Sequence, residues 1–270
     1  MNSQILKRLA CVLVCASVVA SCASTPSGRP QLVLKSEAAL EIEATRQFNS
    51  IRDTAPLVKD RATIDYVACV TNAIIDVLEG ADADLYWELA IVDHPMVNAQ
   101  AMAGGKVIVY SGILPVTANQ DQLAAVIGHE IAHVTAHHTN EKASRQSVTG
   151  VGIDIAAALL GGGYAQQTNA ARGALSQGAI YGILYPFSRK MESEADIIGL
   201  EYMAMAGFDP RESANLWQRM DAKKESRIPA YMTTHPSSED RIDGLVSHYP
   251  KALALYNKAQ AEGRYPDCQR

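Results

Sequence analysis

The stretch Gly128-His129-Glu130-Ile131-Ala132-His133 constrains this chain more than any other. Around it Leu123, Val126, Ile127, Ile131 and Val134 recur at helical spacing, with Asn119 placed as an N-cap and Asp121 in the first turn. The motif is therefore predicted to lie within a packed helix and not on a solvated one. Two histidines four residues apart on a helix project from one face and can reach one metal ion. Glu130 then stands beside the metal's open position, where a carboxylate can take a proton from bound water. The stretch reads as part of a zinc hydrolase site, and the rest of the chain must deliver what it lacks.

What it lacks is one more protein ligand, the fourth position being left for water. His137 continues the same face, but it lies roughly 6 Å further along the axis than His133 and is set aside. A metzincin pattern is excluded, because its third histidine would fall on Thr139 and its glycine on Ala136. The segment Met191-Glu192-Ser193-Glu194-Ala195-Asp196 offers the better candidates. Glu192 and Asp196 are four apart and share a helix face. Glu192 is read as the third zinc ligand, and Asp196 as the acceptor of a ligand histidine's N–H. Glu194 points elsewhere and is expected to be an exposed acid or a minor neighbour of the site. Ile197, Leu200 and Met203 make this a packed helix, Gly207 ends it, and Asp209-Pro210 is expected to start the next.

The N-terminus has a different character. Lys7 and Arg8 precede an apolar run, Leu9 to Ala20, that is too short to span a bilayer. Val19-Ala20-Ser21-Cys22 follows and resembles the lipobox of bacterial lipoproteins. Residues 1–21 are thus expected to be a lipoprotein signal peptide, with Cys22 lipidated and tethering the domain to a membrane surface. A plain secretory leader cut elsewhere is the competing reading. Ala23 after the cysteine favours the outer membrane, facing the periplasm. Residues 22–36, rich in Ser, Thr, Pro and Gly, are expected to form a flexible tether ahead of a domain over 37–270. Beyond the leader only Cys22, Cys69 and Cys268 remain, so Cys69 and Cys268 can form a disulfide in an oxidising compartment, or stay as two thiols. The net charge of −5, without a basic stripe, excludes nucleic acid as a partner.

Helices are predicted over 37–49 and about 63–78, and a strand over 85–92. Val97 to Met102 and Lys106 to Tyr110, joined through Gly104-Gly105, read as a hairpin. Such an edge can accept an extended peptide as a further strand, although an ordinary internal strand pair fits equally well. Residues 148–185 are Gly- and Ala-rich. Asp154 and the glycines argue against a membrane span there, leaving a mobile cover for the cleft or an irregular exposed loop.

Taken together, His129-Glu130-Ile131-Ala132-His133, Glu192-Ser193-Glu194-Ala195-Asp196, Asn98-Ala99 with Gly104-Gly105, and Thr234-His235-Pro236-Ser237 with Arg241 resemble the HtpX, BepA, LoiP and Oma group of gluzincin metallopeptidases. With the lipobox, the resemblance is nearest to periplasmic LoiP-like lipoproteins. It covers about Leu40 to Tyr249. It implies an α+β fold, a mainly helical zincin domain with a small β-sheet whose edge strand lines the cleft, and one zinc ion per chain. Asn98, Ala99, Val107 and Val109 are the hairpin residues expected to meet substrate. His235 and Arg241 are expected across the cleft from zinc, steadying the oxyanion of the tetrahedral intermediate. His235 is also expected to be able to approach the metal and block the water position. Arg241 pairing with Asp240 or Asp243 on a surface helix is the alternative for that residue. The implied activity is zinc-dependent hydrolysis of misfolded or unassembled outer-membrane and periplasmic proteins. A chaperone or assembly factor using the same cleft, in contact with the outer-membrane assembly machinery, is the alternative, and a zinc enzyme with a non-peptide substrate is a weaker one.

Overall fold

The computed structural model describes residues 22–161, 164–222, 231–232, 235 and 241–270. The expected leader, 1–21, lies outside them, as do Thr234, Pro236 and Ser237 around His235.

The chain opens with a two-stranded ribbon, β1 (Cys22–Ser24) and β2 (Pro30–Leu32), turned at Gly28. This corrects the expected flexible tether. The segment is tied to residues 136–144: Thr25 and Gln31 are buried, Leu34 N donates to Ser144 Oγ, Lys35 N to Asn140 Oδ1, and Gln31 Nε2 to the carbonyl of Ala136. A linker-like composition here supplies hydrogen-bonding groups that find buried partners.

Helices α1 (Glu37–Thr54) and α2 (Arg61–Ile75) come next, α2 capped by Asp60 accepting from Thr63 N. They precede a three-stranded sheet of β3 (Glu88–Val92), β4 (Ala99–Met102) and β5 (Lys106–Tyr110), in the order β3-β5-β4. β5 runs parallel to β3 and antiparallel to β4, Ala99 facing Val109 and Ala101 facing Val107. The unbroken apolar run of β5 is explained by cover on both faces. Ile108 packs with Phe48 of α1, while Val107 and Val109 join the main core with Leu123 and Ile127. Each such side chain contributes about 1.5–3 kcal/mol by leaving water. Val107 and Val109 are therefore core residues of the central strand and cannot contact substrate. The free edge belongs to β4. Tyr110 N donates to Asn98 O, so by alternation Ala99 and Ala101 turn their backbone groups outward. The hairpin turn requires Gly104 and Gly105, both at positive φ (71° and 74°).

The helical part comprises α3 (Gln120–Thr135), α4 (His138–Leu160), α5 (Ala165–Ala179), α6 (Tyr185–Met205), α7 (Glu212–Ala222) and α8 (Arg241–Ala261). Asn119 Oδ1 caps α3 by accepting from Gln122 N at 2.9 Å. α7 begins at Glu212 and not at Pro210, because the Asp209 carboxylate holds Arg211 N and the Arg211 side chain in a preceding turn. α4 and α5 form an antiparallel helical pair that continues through one wide turn, 180–184, into α6. The 148–185 region is thus a projecting helical hairpin and not an irregular loop. Among the described residues no helix is long and apolar enough to cross a membrane. A disulfide joins Cys69 of α2 to Cys268, fastening the C-terminal tail to the body.

Candidate active site

α3 presents His129 and His133 on one face, their Nε2 atoms 3.0 Å apart. α6 crosses α3 closely enough to reach them, and two glycines permit the approach. A Cβ on Gly199 would lie 2.7 Å from His129 N, and one on Gly128 would lie 2.9 Å from the Gly199 carbonyl oxygen. At this separation Glu192 Oε2 stands 3.3 Å from His129 Nε2, and Glu192 Oε1 stands 3.6 Å from His133 Nε2. His235 Nδ1 completes the group, 3.1 Å from His129 Nε2 and 2.9 Å from Glu192 Oε2. One ligand atom from each of these four residues lies within 4.8 Å of the other three.

The donor set fits a divalent cation. Nitrogen and oxygen ligands about 2.1 Å from a tetrahedral zinc are about 3.4 Å from one another, close to the spacings seen here. His129 Nδ1 is 2.9 Å from Asp196 Oδ1, so its N–H lies on that side and its Nε2 lone pair faces His133. The two facing lone pairs repel unless a cation lies between them. Glu192 and Asp196, both held ionised, bring two buried carboxylates against the buried guanidinium of Arg241, leaving one negative charge to be neutralised. The titration behaviour agrees. Burial works against it, yet Asp196 and Glu192 raise the His129 pKa to about 9, so without a metal the cluster captures a proton. Burial lowers His133 to about 3 and keeps it neutral. Burial also opposes ionisation of Glu192, but the surrounding imidazoles of His129, His133 and His235 hold its carboxyl far below the ordinary range.

Glu130 follows His129 on α3 and is buried; its Oε1 lies 3.3 Å from His235 Nε2 and accepts no hydrogen bond. The His235 ring stacks on Tyr231, with centroids 4.6 Å apart, and Tyr231 N donates to Val97 O at the mouth of the free β4 edge. Asn98 and Ala99 are both buried there, and Asn98 Oδ1 has no hydrogen-bond partner.

Arg241 departs from expectation. Its Nη2 donates to Asp196 Oδ1 at 2.6 Å and its Nε to Asp196 Oδ2 at 2.5 Å, while its guanidinium lies 3.7 Å from the Trp217 ring centroid. It is bound behind His129 and has no free face to offer an oxyanion. It holds both oxygens of Asp196, one of which faces Nδ1 of His129.

Glu194 is a second departure. It is buried and not exposed, accepting from His138 Nε2 at 3.1 Å, from Arg29 Nε at 2.7 Å, and from Thr25 and Ser27. Against the effect of burial, these contacts hold its carboxyl well below the usual carboxylate range. His138 is a residue that helical periodicity does not find. A regular continuation of α3 would carry it away from His133. The chain instead breaks at His137, which takes a left-handed conformation (φ 51°), and His138 returns to place its Nδ1 2.9 Å from His133 Nδ1. Nothing in a histidine's identity announces a positive φ.

The sequence profile described as Peptidase family M48 matches residues 62–248. The chain is 42% identical over 190 residues to "Mitochondrial metalloendopeptidase OMA1" of Schizosaccharomyces pombe, covering 69% of this chain and 53% of that protein. It is 30% identical over 179 residues to "Metalloendopeptidase OMA1, mitochondrial" of Homo sapiens, covering 64% and 34%. With "Beta-barrel assembly-enhancing protease" of Escherichia coli it shares 29% identity over 198 residues, covering 71% and 40%. The chain thus spans about half, or less, of the length of these relatives.

Proposed function

Because this chain belongs to peptidase family M48, we propose that it is a zinc-dependent endopeptidase acting on extended polypeptides at a membrane surface. The observation that carries this reading is the convergence of His129, His133 and Glu192 on one point with the buried Glu130 carboxylate beside it. Zinc held there supplies Lewis acidity toward a scissile carbonyl and an acidified water. Glu130 takes the proton from the attacking water and returns it to the leaving amine. Asp196, clamped by Arg241, fixes the tautomer and the orientation of His129. The outward backbone groups of Ala99 and Ala101 line up an extended substrate by strand addition, which accounts for recognition without a strict sequence.

His235 has two positions to serve. With Nδ1 3.1 Å from His129 Nε2 and 2.9 Å from Glu192 Oε2, it would supply a fourth ligand itself. Swung outward on the Tyr231 side, it frees that site, and its Nε2 can donate to the oxyanion. The resemblance of Val19-Ala20-Ser21-Cys22 to a lipobox supports a location in a bacterial envelope, anchored to the outer membrane and facing the periplasm. Unassembled envelope proteins are the natural substrates in that compartment. The name of the Escherichia coli relative, a beta-barrel assembly-enhancing protease, favours one further reading, assistance to outer-membrane protein assembly.

Glu130→Gln separates these readings. It is expected to retain one zinc per chain and to lose peptide hydrolysis by about 10³-fold or more, the scale of a missing general base. Cleavage of an unfolded outer-membrane protein by Glu130→Gln at the wild-type rate refutes the peptidase assignment. An assembly function that survives in the same variant supports the second reading.

A further inference from the structure

The N-terminal ribbon does more than lead into the domain. Its turn reaches the side of His133 opposite the metal point. Arg29 donates from Nε to Glu194 Oε2 at 2.7 Å, and from Nη1 and Nη2 to the two Glu141 oxygens at 3.0 and 2.7 Å. Thr25 and Ser27 donate their hydroxyls to the other Glu194 oxygen. Glu194 in turn accepts from His138 Nε2, and His138 Nδ1 meets His133 Nδ1. One assignment of protons fits the histidine contacts. His133 Nδ1–H donates to His138 Nδ1, His138 Nε2–H donates to Glu194, and His133 Nε2 is left with its lone pair directed at Glu192 and His129.

We propose that residues 22–32 are part of the metal site: a brace in which Thr25, Ser27 and Arg29 fix Glu194, Glu194 fixes His138, and His138 fixes the tautomer and aim of His133. The proposal rests on the reading of His133 as a metal ligand. His129 and His133 then have separate supports of different origin. His129 is held from within the domain by Asp196 and Arg241. His133 is held through Glu194 by a segment joined to the domain at one end only. Cys22 is three residues ahead of Thr25, about 10 Å of extended chain. A lipid anchor at Cys22 therefore attaches directly to the brace, and displacement of the ribbon would loosen one of the ligand histidines.

Zinc affinity tests this independently of peptidase activity. The full chain and its variants are titrated against a chromophoric zinc chelator, with near-ultraviolet circular dichroism and the metal-free melting midpoint as checks on folding. Glu194→Gln and Arg29→Ala, folded, are expected to bind zinc about 10–100-fold more weakly than wild type, the usual cost of losing a group that orients a ligand. Arg29→Lys, which keeps one of the two carboxylate contacts, is expected to fall between. The visible spectrum of the cobalt-loaded protein is expected to change in Glu194→Gln, since the aim of His133 alters the ligand field. Thr25→Val is a milder probe, expected to weaken binding less than Arg29→Ala. Wild-type affinity in both Glu194→Gln and Arg29→Ala overturns the brace. So does a lowered melting midpoint with unchanged affinity, which makes the ribbon a structural strap only. Failure of the wild type itself to bind zinc, or of His133→Ala to weaken binding, overturns the metal-site reading instead.

Discussion

The two helix pairs of this protein invert the usual distribution of polar and apolar groups. Where α3 crosses α6, charged and polar side chains are buried: His129, Glu130, Glu192, Glu194 and Asp196 are each at most 9% exposed. Where α4 pairs with α5, apolar side chains are exposed: Val148, Val151, Ile155 and Leu159 form a stripe along α4, between 51% and 78% accessible. The first pair is expensive in desolvation and is held by hydrogen bonds to His129, Glu192, Glu194 and Asp196, while Glu130 Oε1 is left without a hydrogen-bond partner. The second gives up burial it could have had. A region whose order depends on every partner should respond steeply to single changes, and one without partners should not respond at all.

The steepest response is expected at Asp196. Asp196→Ala leaves the buried Arg241 guanidinium without its bidentate acceptor, and breaking such a pair costs about 3–5 kcal/mol. Chemical denaturation of the variant measures it. A loss below about 1 kcal/mol would mean that Arg241 is not committed to Asp196, and would restore it as a candidate for the oxyanion. Gly199→Ala comes next. Its methyl group would press on the backbone at His129 N, forcing α6 away from α3 at a cost of about 1–3 kcal/mol. Because Glu192 and Asp196 ride on α6, zinc affinity should fall together with stability. A stable Gly199→Ala with intact affinity would show that the crossing tolerates separation.

A smaller effect follows from acid. Glu194 and Glu141 are ionised in the folded protein at pH values where the unfolded chain has begun to protonate them. Burial opposes this in both, and it is outweighed by His138, Ser27, Thr25 and Arg29 at Glu194 and by Arg29 and Arg145 at Glu141. A carboxylate with a depressed folded-state pKa contributes stability that is fully present above its unfolded value, here 4.5, and is lost as pH falls through the folded value. Below about pH 4.5 the metal-free protein should therefore lose stability progressively, and Arg29→Ala should flatten that dependence. An identical pH profile in the two proteins would show that the ribbon does not set these pKa values. Among the described residues the ion pair that links α4 to α5, Arg172 with Asp154, is exposed and should add little to this dependence.

The same contrast explains what the sequence reveals and what it conceals. His129, His133, Glu192 and Asp196 are legible because each pair keeps helical spacing, so an interval of four is also a direction in space. The Gly104-Gly105 hairpin is legible because a tight turn demands positive φ. Val107 and Val109 mislead because strand alternation does not say whether a strand is at the edge, and β5 is central. His138 is hidden by the left-handed His137, Glu194 by having its partners 165 to 169 residues earlier, and Thr25 to Arg29 by a composition shared with linkers. Contacts across such intervals leave no local period. Residues 148–185 fail for the opposite reason: their Gly and Ala content argues against a packed helix, and the helices are indeed barely packed.

That hairpin supplies the smallest predicted effect and the most discriminating one. Substitution of an exposed apolar side chain that has no partner removes no contact, so Val151→Gln and Leu159→Gln should each change unfolding free energy by less than about 0.5 kcal/mol. Urea unfolding of the full chain measures the difference. A loss above about 1 kcal/mol in either variant would mean that the stripe is covered by another part of the chain. Limited proteolysis asks the complementary question of motion. If the hairpin covers the cleft, an active-site inhibitor should protect residues 148–185 from cutting. Equal cutting with and without inhibitor makes the hairpin an independent projection, and the comparison with α3 and α6 then holds for dynamics as well as for packing.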